Sequence, residues 1–90
     1  MADITINALG AREFQVRILD GKRQTTHVVT VPETLGEGIQ LPNDLEAVVR
    51  ESFLFLLQRE PASSILPRFS LSEIARYFPE YPVELAKRLS

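Results

Sequence analysis

A single histidine and a scatter of carboxylates are the side chains of this sequence that could carry acid–base chemistry. His27 lies inside the β-branched stretch TTHVVTV, where a general base would need a nucleophile and an orienting carboxylate beside it. No motif supplies those two groups, so we interpret His27 as a strand residue packed beside Val16. We therefore expect no catalytic residues, and we predict that the protein is not an enzyme.

Metal and cofactor binding have equally little support in the residue types. The chain has no cysteine and one histidine, and its acidic residues are not spaced as in a calcium-binding loop. Gly36 and Gly38 do not complete a glycine-rich phosphate-binding signature. We interpret Glu46 and Glu73 as helix caps and Glu84 as the helix-surface partner of an arginine four residues later. No metal site and no cofactor are expected.

The stretch RYFPEYP, residues 76–82, brings three aromatic residues and two prolines together. The first proline is expected to end one helix and the second fits the first position of the next, so the segment is first of all a corner. Phe78 is predicted to belong to the core. A tyrosine near a corner can keep its hydroxyl in water, and we predict a partner-binding surface formed by Arg76, Tyr77 and Tyr81. A purely structural corner is the alternative.

The stretch NDLEAVVRESFLFLLQRE predicts the main helix, over residues 43–60. Asn43 is expected to be its N-cap, with Glu46 completing a capping box. Pro61 is expected to stop the helix, because proline cannot continue the backbone hydrogen bonding of a helix interior.

Apolar side chains wrap around this helix instead of keeping to one side. Leu54 lies opposite the main apolar stripe, and Phe55 and Leu57 flank that stripe. One small hairpin cannot cover all of them, so a second layer must come either from residues 65–89 or from another subunit. Both alternatives stay open from the sequence, and we predict Leu54, Phe55 and Leu57 as partner-binding residues.

An antiparallel hairpin is predicted over residues 13–31, where EFQVRIL alternates apolar and polar residues before the β-branched TTHVVTV. A four-residue loop over 20–23 would place Phe14 opposite Val29, whereas a two-residue Asp-Gly turn would place Phe14 opposite His27. We favour the longer loop because it keeps the bulky apolar residues on one face.

The remaining segments are short. Residues 1–12 are either a short edge strand or a flexible terminus. Residues 62–90 are predicted to form short helices, one of them opened by a capping box of Ser70 and Glu73. The sequence therefore predicts one α+β domain over 1–90: an antiparallel β-hairpin, with or without a third strand, packed on one main helix and followed by short C-terminal helices.

Composition favours a soluble, cytoplasmic protein. The chain of 90 residues carries a net charge of -2 at pH 7 and 44% hydrophobic residues, and it lacks cysteine. No leader sequence is visible, and the longest uninterrupted apolar run, residues 53–57, is far shorter than the roughly 20 residues of a membrane span. The acidic balance argues against nucleic acid, since duplex-binding domains are usually basic.

One stretch nevertheless resembles a helix-turn-helix. In LSEIARYFPEYPVELAKRL, residues 71–89, two helical segments flank a corner, and Lys87 and Arg88 could contact phosphates. Pro79 stands where that family usually has glycine, and Arg88 stands where a buried aliphatic residue is expected. A DNA-binding regulator is therefore the alternative function.

The combination SFLFLLQREPASSIL and FSLSEIARYFPEYP resembles a family of small uncharacterised bacterial proteins over about residues 13–82. The resemblance implies a compact, standalone prokaryotic protein and supplies no activity, ligand or catalytic residue. With the chemistry above, we predict a small non-catalytic interaction or regulatory protein that acts through self-association, as a homodimer, or through a protein partner. The sequence does not identify that partner or any small-molecule ligand.

Overall fold

The computed structural model describes residues 2–35 and 41–89 of the chain. They form a four-stranded mixed sheet that packs against one long helix, with short helical segments following. The α+β class is thereby confirmed, although the sheet has more strands than expected. Gly36 and Gly38, which do not complete a phosphate-binding signature, lie outside the described residues.

The sheet is a three-stranded antiparallel meander with a short fourth strand at its far edge. The strands are β1 (Ala2–Ala8), β2 (Glu13–Asp20), β3 (Arg23–Thr30) and β4 (Arg68–Ser70), in the spatial order β1-β2-β3-β4. The strand β4 runs parallel to β3, and its Phe69 lies opposite Val29. Three residues are too few to show an alternating pattern, which is why the sequence did not predict this strand.

The predicted register between β2 and β3 is confirmed, with Phe14 opposite Val29. The predicted four-residue loop over 20–23 is wrong in length, because Asp20 and Arg23 also pair and the loop contains only Gly21 and Lys22. Gly21 has a φ of 65°, and no other residue among those described has a positive φ. A positive φ at the first loop position alone is the requirement of a type II′ turn, and glycine meets it without steric cost.

At the N-terminus, the edge-strand alternative is the one that the structure adopts. The strand β1 pairs along its whole length with β2, placing Ile4 opposite Ile18 and Ile6 opposite Val16. Alternate side chains of β1 therefore face the core, as the period of two along a strand requires.

The helical part consists of α1 (Leu45–Leu57), α2 (Ile74–Tyr77) and α3 (Tyr81–Leu89), with 3-10 turns at Ala62–Ser64 and Leu71–Glu73. None of the helices in the described part of the chain is long and apolar enough to cross a membrane.

Two predicted helix caps need correction. Asp44, not Asn43, caps α1, because its Oδ1 accepts a hydrogen bond from the Ala47 backbone N–H at 3.2 Å. Ser70 caps a 3-10 turn instead of an α-helix, and it accepts from the backbone N–H of Ser72. Glu73 does not complete that box. Its carboxylate instead lies 3.4 Å from the guanidinium of Arg76, one turn later.

The core lies between the sheet and α1, and a second layer lies behind α1. The α3 residues Tyr81 and Leu85 are buried against the far side of α1. The Tyr81 hydroxyl and Ser52 Oγ are 2.7 Å apart, and Ser52 also donates to the Val48 carbonyl at 2.7 Å. The chain itself thus supplies at least part of the second layer that the wide apolar surface of α1 required.

Alkaline pH should weaken this second layer. Burial raises the pKa of Tyr81 from 10.0 to about 12. The folded chain therefore keeps a proton that the unfolded chain releases. This contribution to stability is complete below pH 10 and is lost as the pH rises through about 12. We expect the free energy of unfolding, measured with urea from pH 9 upward, to fall less in Tyr81→Phe than in the wild type.

The matched control is Tyr77→Phe, because Tyr77 is exposed and its hydroxyl is not part of this buried pair. It should show the wild-type fall with pH. An equally steep fall in Tyr81→Phe would contradict the assigned origin of the pH dependence.

Candidate functional site

A cleft of about 290 Å³ opens between the C-terminal end of α1, the segment that follows it and α2. Most of its lining is apolar: Leu56, Ile65, Leu66, Phe69, Ile74, Tyr77 and Phe78. Its polar lining residues are Glu60, Ser64 and Glu73. The volume lies at the lower limit of small-molecule pockets, roughly 300–1,000 Å³, so the cleft suits inserted side chains better than a large cofactor.

The first wall of the cleft is the segment between Pro61 and Pro67. Its side chains divide between core and solvent, because Ile65 is buried whereas Leu66 is 47% exposed. The backbone N–H of Val28 donates to the Pro67 carbonyl at 2.8 Å, which ties this segment to β3. Pro61 keeps the segment from continuing α1, and after the 3-10 turn at Ala62–Ser64 the backbone is extended at Ile65.

His27 holds this wall from behind. It is buried in β3 opposite Val16, which agrees with its interpretation as a strand residue. Its Nδ1 lies 2.8 Å from the Leu66 carbonyl oxygen and its Nε2 lies 2.9 Å from Thr25 Oγ1. A carbonyl can only accept, so Nδ1 carries a proton and donates it to Leu66. This bond fixes the backbone of Leu66 and leaves its side chain on the surface.

The second wall carries the aromatic corner. Tyr77 is 68% exposed, and Phe78 is half-buried beside it. The Phe78 ring meets the ring of Phe55 edge-on, with centroids 6.0 Å apart. Phe55 in turn packs on Tyr81 at 5.2 Å. The buried rings of Phe55 and Tyr81 therefore lie behind Phe78 and support it.

The charged residues that line the cleft are both acidic. Glu60 and Glu73 both line it, and Glu73 is paired with Arg76 at 3.4 Å. Arg59, next to Glu60 in the chain, is turned away: its guanidinium lies 3.6 Å from the centre of the Phe55 ring and 3.2 Å from Glu80. Within residues 2–35 and 41–89, Glu60 forms no ion pair.

The six predicted partner-binding residues are divided by the structure. Arg76 and Tyr77 are exposed beside the cleft, Leu54 is 37% exposed, and Leu57 is half-buried. Phe55 and Tyr81 are fully buried, so we correct their assignment from partner contact to core. Phe55 and Tyr81 face inward and pack against each other. Helix periodicity does not encode this contact, because the two residues belong to different helices.

The residues that sequence reasoning missed are those of the proline-bounded wall and the helix end beside it: Leu56, Glu60, Ser64, Ile65 and Leu66. One signal was available in the sequence. Pro61 and Pro67 enclose adjacent aliphatic residues that cannot both face the core of an extended segment, so one of the two had to meet solvent.

Residues 71–89, which resemble a helix-turn-helix in sequence, differ from that motif in the length of the first helix and in the contacts of Arg88. The first helix, α2, has only four residues. Arg88 does not pair with Glu84. It lies 3.6 Å from Glu51 of α1 and donates to the Gln58 side chain at 2.6 Å. One of the two expected phosphate contacts is thus engaged within the chain, and DNA binding stays a prediction.

No protein-family model, no curated protein and no solved structure matches the chain. The resemblance noted from the sequence therefore stays a prediction. No group of three or more His, Asp or Glu residues that could hold a metal ion occurs in the described ranges.

Proposed function

We propose that this protein is a small non-catalytic interaction protein whose cleft binds a segment of a protein partner. One observation carries the proposal: Leu66 and Tyr77, two large apolar side chains from different elements, are exposed in the same apolar cleft. The other large exposed apolar side chains, Leu9, Leu19, Leu54 and Val83, do not line it. Exposed apolar surface that gathers in a concavity is typical of a binding site.

The rigidity of the walls supports the same proposal. Leu66 is fixed through its carbonyl by His27, and Ile65 beside it is anchored in the core. Phe78 rests on the buried ring of Phe55. A preformed site costs little conformational entropy when it binds, so a short peptide segment could be held without reorganisation of the cleft.

A partner segment explains the lining better than catalysis does. Apart from its carboxylates, the polar side-chain groups that line the cleft are two hydroxyls, those of Ser64 and Tyr77. His27 contacts the Leu66 backbone and Thr25, and it is buried behind the wall. Self-association through Leu54 and Leu57 stays a separate prediction, since neither residue lines the cleft.

The test is a selection of binding peptides from a random peptide library displayed on phage, with the wild-type protein as bait. We expect peptides rich in apolar residues, whose binding to the isolated protein depends on Leu66. If no peptide is enriched, or if the enriched peptides bind equally well after the cleft is altered at Leu66, the proposal is wrong.

A further inference from the structure

The carboxylate of Glu60 stands at an apolar cleft without a cationic partner among the residues that the structure describes. Glu60 is half-buried and follows Leu56, another lining residue, by one helical turn. A carboxylate next to apolar surface loses part of its hydration when a ligand covers that surface. A ligand that brings an opposite charge would compensate the loss.

The arginines near the cleft in sequence are engaged with other carboxylates. Arg59 pairs with Glu80 at 3.2 Å, and Arg76 pairs with Glu73 at 3.4 Å. Arg68 pairs with Glu13 at 3.6 Å. Because each of these cations has a carboxylate of its own, Glu60 is the side chain at this cleft whose charge is left for a ligand.

We propose that the partner segment carries a lysine or arginine next to its apolar residues, and that Glu60 recognises this cation. The inference rests on the proposed function, because it names the chemistry of the segment that the cleft would bind. The apolar lining supplies affinity, and Glu60 selects among apolar segments by charge. An acidic flank on the segment would instead meet the carboxylate of Glu60, unpaired within the described residues, and would be disfavoured.

The experiment compares two baits in the same phage-displayed random library: the wild type and Glu60→Lys. Peptides selected by the wild type should be enriched in Lys or Arg beside apolar residues. Glu60→Lys should bind those peptides at least roughly tenfold more weakly, since it replaces an attraction by a repulsion, and it should enrich peptides with Asp or Glu.

The control is Asp3→Lys, which makes the same change in net charge. Asp3 is exposed on β1 and lies opposite Leu19 on the face of the sheet that points away from α1. The affinity of Asp3→Lys for the peptides selected by the wild type should change less than about twofold, because Asp3 does not line the cleft and exposed charges are screened by salt.

The outcomes separate the two proposals. The selected peptides could depend on Leu66 without being enriched in Lys or Arg, and could bind Glu60→Lys with wild-type affinity. That result would overturn the role of Glu60 and leave the proposed function standing. Equal losses in Glu60→Lys and Asp3→Lys would also overturn it, because the effect would then be one of net charge. Absence of any selected peptide would overturn both.

Discussion

Replacing Phe55 with alanine is expected to lower the free energy of unfolding by about 3–5 kcal/mol. Phe55 has no exposed surface, and its ring contacts Phe78 and Tyr81. The Arg59 guanidinium lies 3.6 Å from the ring centre. Truncation would leave a cavity between α1 and α3 and would remove the support behind the aromatic wall of the cleft. Urea unfolding followed by circular dichroism measures the loss.

The neighbouring residue provides a matched control. Leu54 belongs to the same helix and is 37% exposed, so Leu54→Ala should cost less than about 1 kcal/mol. A large difference between these adjacent positions is the expected result, because one side chain lies in the second layer and the other meets solvent. Similar small costs at both positions would contradict the burial of Phe55 within a single chain and would point to a subunit interface instead.

Replacing Leu66 with glutamate is expected to weaken binding of the selected peptides by more than about a hundredfold, which corresponds to roughly 3 kcal/mol. The change removes an apolar contact and adds a third carboxylate beside Glu60 and Glu73. The fold should persist, since the Leu66 side chain is already 47% exposed. The bond from His27 uses the backbone carbonyl of Leu66, which the substitution keeps.

Val83→Glu is the control for this change. Val83 is 60% exposed in the first turn of α3, outside the cleft, and a carboxylate is well tolerated there by the helix dipole. Fluorescence anisotropy with a labelled selected peptide should give wild-type affinity for Val83→Glu and an affinity more than about a hundredfold lower for Leu66→Glu. Equal losses in both variants, or no loss in Leu66→Glu, would contradict a cleft-specific contact.

Local pattern was sufficient for the parts of the fold that obey a simple period. Alternation in β2 and β3 predicted their register, because a shift by one residue would have turned Phe14 and Val29 to solvent. The apolar wrap of α1 correctly predicted that a second layer was needed. Its source was not predictable, since the pairing of Ser52 with Tyr81 joins residues 29 positions apart.

The site was harder to predict because it depends on contacts between distant segments. Tyr77 was predicted as a surface residue from its place at a corner, and its exposure agrees with that. Tyr81, in the same motif, is buried because α3 folds back onto α1. The two prolines indicated that Ile65 or Leu66 meets solvent, but the hydrogen bond between the Leu66 carbonyl and His27, 39 residues earlier, is not encoded in any local pattern.

Titration of the isotopically labelled protein with one selected peptide, followed by ¹H–¹⁵N correlation spectra, shows where on the protein the peptide binds. We expect the amide signals of Ser64, Leu66 and Tyr77 to shift on binding, while those of Thr5 and Arg17, on the exposed face of the sheet, stay in place. Shifts confined to the sheet, with the cleft signals unchanged, would contradict binding in the cleft.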